Sequence, residues 1–252
     1  MTKNSLLPFS RIRICLLKTE IQRLLLTPVG FGFLLLLART VYTGGLTFAF
    51  LVWNLFLAFV PYFLSYAVTL RPAWMKSKWK FTAVITVWLL FIPNSFYMLT
   101  DLFHLYDSAA VPRWYDLLLI LSFAWNASLM GILSVRHIEK IIQARWKYRF
   151  GWLFIYPVML LNALGIYIGR YLRFNSWDVI SNPFRLLADM VHLVLHPMYY
   201  GSAWAMILGF SFFLSILYMT LKKLGRDAMH GVSAHALQGV SANIRQDIPA
   251  NI

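Results

Sequence analysis

The sequence predicts an all-α protein: a polytopic transmembrane helix bundle of about six spans, with interfacial amphipathic helices beside it. Three observations lead there. Hydrophobic residues fill 60% of the 252 positions and charged residues only 13%, about half the charged share of an ordinary soluble domain. The apolar residues gather in runs of about 20, the length that crosses roughly 30 Å of hydrocarbon as a helix. The basic residues behind the net charge of +14 sit in short segments between those runs, the arrangement of juxtamembrane loops. The partner this implies is a lipid bilayer, and nucleic acid is not expected. The lone cysteine, Cys15, rules out an internal disulfide.

The elements follow in order. Residues 1–23 place Lys3, Arg11, Arg13, Lys18 and Arg23 among leucines and isoleucines, an amphipathic arm suited to an anionic membrane surface. The first span runs from Leu24 to about Gly44; Leu37-Ala38-Arg39-Thr40 offers no small-x-small cleavage site, so it is expected to stay attached. Arg39, near its far end, is expected to snorkel to the headgroups. Beyond Gly44-Gly45, spans are expected over Leu46–Leu70, Phe81–Thr100, Leu117–Val135, Gly151–Ile168 and Tyr199–Leu221. The membrane domain is therefore 24–221, with outer polar loops at 101–116 and 169–198. The tail 222–252 is small and polar with no long apolar stripe, and is expected to be a flexible cytoplasmic segment.

Charge sets the expected orientation, because cytoplasmic loops carry the excess of Lys and Arg. With both termini cytoplasmic, the inner segments hold 18 of the 23 basic residues and 4 of the 9 acids, leaving 5 of each outside. The expected location is a cytoplasmic membrane crossed several times.

Two clusters on that outer side carry the chemistry. In the first, Pro93 interrupts the third span and Asn94 follows with an amide able to satisfy freed backbone. Tyr97 comes next, then Asp101 and His104, whose i, i+3 spacing puts them on one helix face. That pair suits two metal ligands, or a carboxylate orienting an imidazole base, or a plain solvated helix. Trp114, Tyr115 and Asp116 close the loop; the aromatics also suit an interfacial belt and Asp116 a helix cap.

In the second cluster, Arg170 and Arg173 stand at i, i+3 beyond the fifth span, followed by Asn175, Trp177 and Asp178. Two arginines on the outer side need partners, either acids such as Asp101, Asp116 and Asp178 or the phosphate of an anionic ligand. Downstream, Ser181-Asn182-Pro183 starts a helix that Pro197 stops. In it Arg185, Asp189, His192 and His196 form a polar stripe, solvated or metal-ligating, on a helix expected to lie flat on the outer leaflet.

Taken together, Ile92-Pro93-Asn94, Tyr97, Thr100-Asp101-Leu102, His104-Leu105, Trp114-Tyr115-Asp116, Gly165-Ile166-Tyr167, Gly169-Arg170, Arg173, Asn175, Ser176, Trp177 and Asp178 resemble the domain of unknown function 1361 (DUF1361) family of bacterial integral membrane proteins. The resemblance spans roughly Val60 to Leu221; it departs at Ser95-Phe96, where a small residue and proline are common. It implies a multi-helix inner-membrane protein and supplies no mechanism, cofactor or metal.

Two functions remain open from the residues. One is a membrane enzyme acting at the outer leaflet on a lipid or other anionic substrate. Asp101, His104 and Asp116 would be its catalytic groups, and Asn94, Tyr97, Trp114, Tyr115, Arg170, Arg173, Asn175, Trp177 and Asp178 its binding groups. The other is a scaffold or assembly partner in which the same residues form a structural network. Transport is weaker, since Asn54, Asn126 and Asn162 are the strong polar residues inside the spans.

Overall fold

The computed structural model describes residues 7–70, 77–106, 110–146, 151–174 and 181–246. Among the described residues there are seven α-helices, one 3-10 helix and no strand. The helices are α1 (Leu7–Thr43), α2 (Phe50–Leu70), α3 (Lys78–Tyr97), α4 (Arg113–Trp146), α5 (Trp152–Arg170), α6 (Pro183–Leu195) and α7 (Gly201–Gln246). The 3-10 helix, Met98–Tyr106, continues α3 directly. Six helices are long and apolar enough to cross a membrane: all but α6. Large apolar side chains on them face outward, among them Leu34, Trp53, Phe56, Phe63 and Phe212, as expected where the surrounding solvent is hydrocarbon.

Boundaries differ from the expected ones where good helix formers carry a helix onward. The arm and the first span join in one 37-residue helix. The helix α4 runs on through Arg136–Trp146, because Glu, Lys, Gln and Arg favour helix and Ile138 is buried there. Pro93 does not interrupt α3: the helix continues to Tyr97 and then tightens into the 3-10 turns.

The pillar of the bundle is α4, the most enclosed of the six spans. It packs on α1, α2 and α3, while α5 packs on α3 and α7. One core joins Phe48, Leu51 and Leu55 to Met98, Leu119, Ile120 and Phe123. A second joins Trp88, Ile92 and Phe96 to Ile138, Met159, Leu214 and Tyr218.

Glycine lets the central helices approach. A Cβ on Gly131 of α4 would lie 2.8 Å from the Ser95 side chain, and one on Gly165 of α5 would lie 2.6 Å from Pro93. Both distances are shorter than real contacts, so α3 meets its two neighbours where a side chain is missing. Polar bonds supplement this packing at depth, where unpaired groups are costly. Trp88 Nε1 donates to Ser134 Oγ at 2.8 Å, and Ser134 Oγ donates to the Pro61 carbonyl at 2.8 Å.

Candidate functional site

The end of the bundle where α1, α3 and α5 finish and α2, α4 and α7 begin gathers most of the polar residues singled out above. A 3-10 helix has three residues per turn, so side chains at i and i+3 stand in line. That register sends both Asp101 and His104 toward Arg170 at the last position of α5.

Arg170 Nη1 lies 2.9 Å from His104 Nε2 and 3.3 Å from Tyr97 Oη, and Nη2 donates to the Thr100 carbonyl. The guanidinium also sits over the rings of Tyr97 and Phe103, at 5.5 and 5.2 Å. Arginine can only donate, so this contact assigns His104 Nε2 as acceptor and puts its ring proton on Nδ1. Asp101 is buried, and its Oδ2 accepts from Asn54 Nδ2 at 3.0 Å. Its Oδ1 stands 3.7 Å from Arg170 Nη1, beyond hydrogen-bond reach, and has no hydrogen-bond partner among the described residues.

Asp116 belongs to a different pair. Arg39 Nε donates to its Oδ1 at 2.6 Å and Arg39 Nη2 to its Oδ2 at 3.3 Å, with both side chains 1% exposed. The snorkelling expected of Arg39 is therefore corrected. A buried carboxylate on α4 holds it inside, and the Phe48 ring covers its guanidinium at 4.5 Å. Aromatic contacts link the two centres, Phe48 to Phe50 at 6.0 Å and Phe50 to the His104 ring at 5.1 Å. Beside Arg39 a cleft of about 300 Å³ opens between Tyr42, Val111, Pro112 and Tyr115. Tyr115 closes α4 onto α1 by donating to the Leu35 carbonyl at 2.7 Å.

Asn94 turns to its own helix, donating to the Phe91 carbonyl at 3.0 Å. Trp114 is 64% exposed, in the position of an interfacial aromatic. Arg173 is exposed and holds φ at +58°, a left-handed turn that ends α5 and lets the Phe174 N–H reach the Ile168 carbonyl at 3.3 Å. Asn175, Trp177 and Asp178 lie outside the described residues. Among the described residues no three His, Cys, Asp or Glu groups stand close enough to hold a metal, so the Asp189, His192 and His196 stripe makes no metal cluster. The two imidazoles stack at 5.3 Å on α6, and the helix buries only Leu193.

Residues 53–217 match the model of a family described as a protein of unknown function, DUF1361. That range takes in well over half of the chain. The chain belongs to the DUF1361 family. No curated protein and no solved structure matches it. Within this DUF1361 chain, Asn54, Tyr97, Asp101, His104, Asp116 and Arg170 all fall inside the matched range, whereas Arg39 lies before it.

The DUF1361 chain also uses polar residues for which the sequence offered no site role. Asn54 and Thr100 complete the Arg170 site; the signal for Asn54 was its place near the start of α2, level with Asp101. At the opposite end of the bundle Glu139 is fully buried. It accepts from Arg136 Nη1 at 2.7 Å, Tyr218 Oη at 2.6 Å, Gln143 Nε2 at 3.2 Å and Lys222 Nζ. A single acid within the basic segment 136–150 was the visible sign of it.

Proposed function

We propose that this DUF1361 protein sits in the bacterial cytoplasmic membrane with both termini in the cytoplasm, and that its outward-facing site around Arg170 binds the anionic group of a lipid or lipid-like substrate. The orientation rests on the charge count of the loops. The outer arginines fit it, because Arg39 is consumed by a buried pair and Arg170 is drawn into a site.

One observation carries the binding reading: among the described residues Arg170 meets a carboxylate only in a loose ion pair, Asp101 Oδ1 at 3.7 Å, with no hydrogen bond between them. Its hydrogen-bond acceptors among the described residues are an uncharged carbonyl, a phenol and an imidazole. Its side chain is 13% exposed, against 1% for the fully paired Arg39. A guanidinium fixed in this way offers its remaining N–H groups in the planar geometry that matches phosphate or carboxylate. Asp101, oriented by Asn54, and His104, whose Nε2 is released when Arg170 turns to a bound anion, are the groups that would exchange protons with a substrate.

The Arg39–Asp116 pair favours a second reading for its own part of the network, namely that Asp116 is structural. Its two oxygens are already engaged, which leaves Asp116 to position α4 while Arg170 does the binding. Transport finds less support, since Asn126 and Asn162 donate to carbonyls of their own helices, Ser122 and Val158.

The test is a titration of the detergent-purified protein with short-chain phosphatidic acid, followed by tryptophan fluorescence, with phosphatidylcholine as control. Arg170→Gln is expected to weaken the response about tenfold or more, since a charge-assisted bond contributes roughly 1.5–3 kcal/mol. An unchanged affinity in a folded Arg170→Gln protein defeats the reading.

A further inference from the structure

We infer a second anion site at the other end of the bundle, where Arg136 and Lys222 flank Glu139, and assign it to the phosphate of an anionic lipid headgroup. It does not depend on the Arg170 reading. Depth comes first. Asp116 and Glu139 are 23 residues apart on the one helix α4, about 34 Å at 1.5 Å per residue, which is one hydrocarbon thickness. With Asp116 at one membrane edge, Glu139 lies at the other, where headgroups begin.

The charges there do not cancel. Arg136 and Lys222 share a single carboxylate, and Glu139 is saturated by four donors. One positive charge is left over on two side chains that are still 30% and 24% exposed. Arg136 keeps further N–H groups and Lys222 two more protons for an outside acceptor. Exposed Lys140 and Lys223 stand next in sequence on the same helices and add to the field.

The backbone adds its own contribution. The helix α5 starts beside this cluster at Gly151 with no side-chain cap, so its N-terminal partial positive charge faces the same place. A Cβ on Gly151 would meet Glu139 Oε1 at 2.7 Å, Gln143 Nε2 at 3.4 Å and Lys222 Nζ at 3.4 Å. Glycine therefore lets the start of α5 come in close against the Glu139 cluster, where a side chain would clash, and brings its uncapped N–H groups beside Arg136 and Lys222. Basic pockets between spans at a membrane face are suited to phosphate-bearing headgroups.

The experiment compares thermal unfolding of the full-length protein in detergent with added phosphatidylglycerol, phosphatidylcholine or inorganic phosphate. Phosphatidylglycerol is expected to stabilise at lower concentration than phosphatidylcholine, and to do so equally in Arg170→Gln, which separates this site from the outer one. The Lys140→Gln/Lys223→Gln variant, whose exposed lysines take no part in the Glu139 bonds, should raise the half-saturating phosphatidylglycerol concentration. Glu139→Gln keeps an acceptor and adds one net positive charge. It should lower that concentration about threefold, the effect of a unit charge at about 6 Å in a water-like medium. Equal stabilisation by both lipids, or no change in the double lysine variant, overturns the proposal. Displacement of phosphatidylglycerol by millimolar inorganic phosphate overturns the lipid assignment.

Discussion

Replacing Asp116 separates a structural acid from a catalytic one. Arg39 and Asp116 are each 1% exposed and meet through two bonds of 2.6 and 3.3 Å. Asp116→Asn leaves the guanidinium buried without its countercharge, and removing one partner of a buried pair costs about 3–5 kcal/mol. At 1.4 kcal/mol per tenfold that is roughly a hundred- to several-thousand-fold in the folding equilibrium. The assay is reversible unfolding of the purified protein in mixed detergent and SDS micelles, followed by far-UV circular dichroism. The double variant Arg39→Met/Asp116→Leu removes both charges and keeps apolar volume, so it should recover most of the loss, as buried pairs exchanged for apolar residues do. A single variant as stable as the wild type, or a double variant no better than the single, refutes the reasoning. A stable double variant that also binds phosphatidic acid normally would show that Asp116 takes no part in binding.

Two further outcomes are expected. Gly165→Ala drives a methyl to 2.6 Å from Pro93 and should cost about 1–3 kcal/mol by overpacking, whereas Gly30→Ala, with open space around it, should change helix stability by no more than about 1 kcal/mol; unfolding midpoints of the two variants check this. Tyr218→Phe deletes the 2.6 Å bond to the Glu139 carboxylate and should cost about 1.5–3 kcal/mol, measurable in the same unfolding assay, while the double lysine variant Lys140→Gln/Lys223→Gln should unfold like the wild type.

The bundle was legible because hydrocarbon imposes a length and a composition on every span, and six runs met both. Helix ends were less legible. The residues after Val135 are polar enough to look like a loop, yet they are good helix formers and one of their turns is buried by α7. Pro93 looked like a break, but its ring packs against Gly165 and the helix continues past it. Spacing alone did align Asp101 with His104, because i and i+3 share a face in either kind of helix. It could not choose partners. That Arg39 and not Arg170 pairs with Asp116 depends on which helices α4 touches, a matter of tertiary packing. The same holds for Glu139, whose partners Tyr218 and Lys222 lie about 80 positions away in sequence. A local pattern shows only its acid among basic residues.

The central claim is that Arg170 binds an anionic group at this membrane face, and native mass spectrometry of protein released from nanodiscs containing phosphatidic acid tests it most directly. The wild type should retain one more phosphatidic acid molecule than a folded Arg170→Gln protein. Identical lipid counts in the wild type and Arg170→Gln would contradict it.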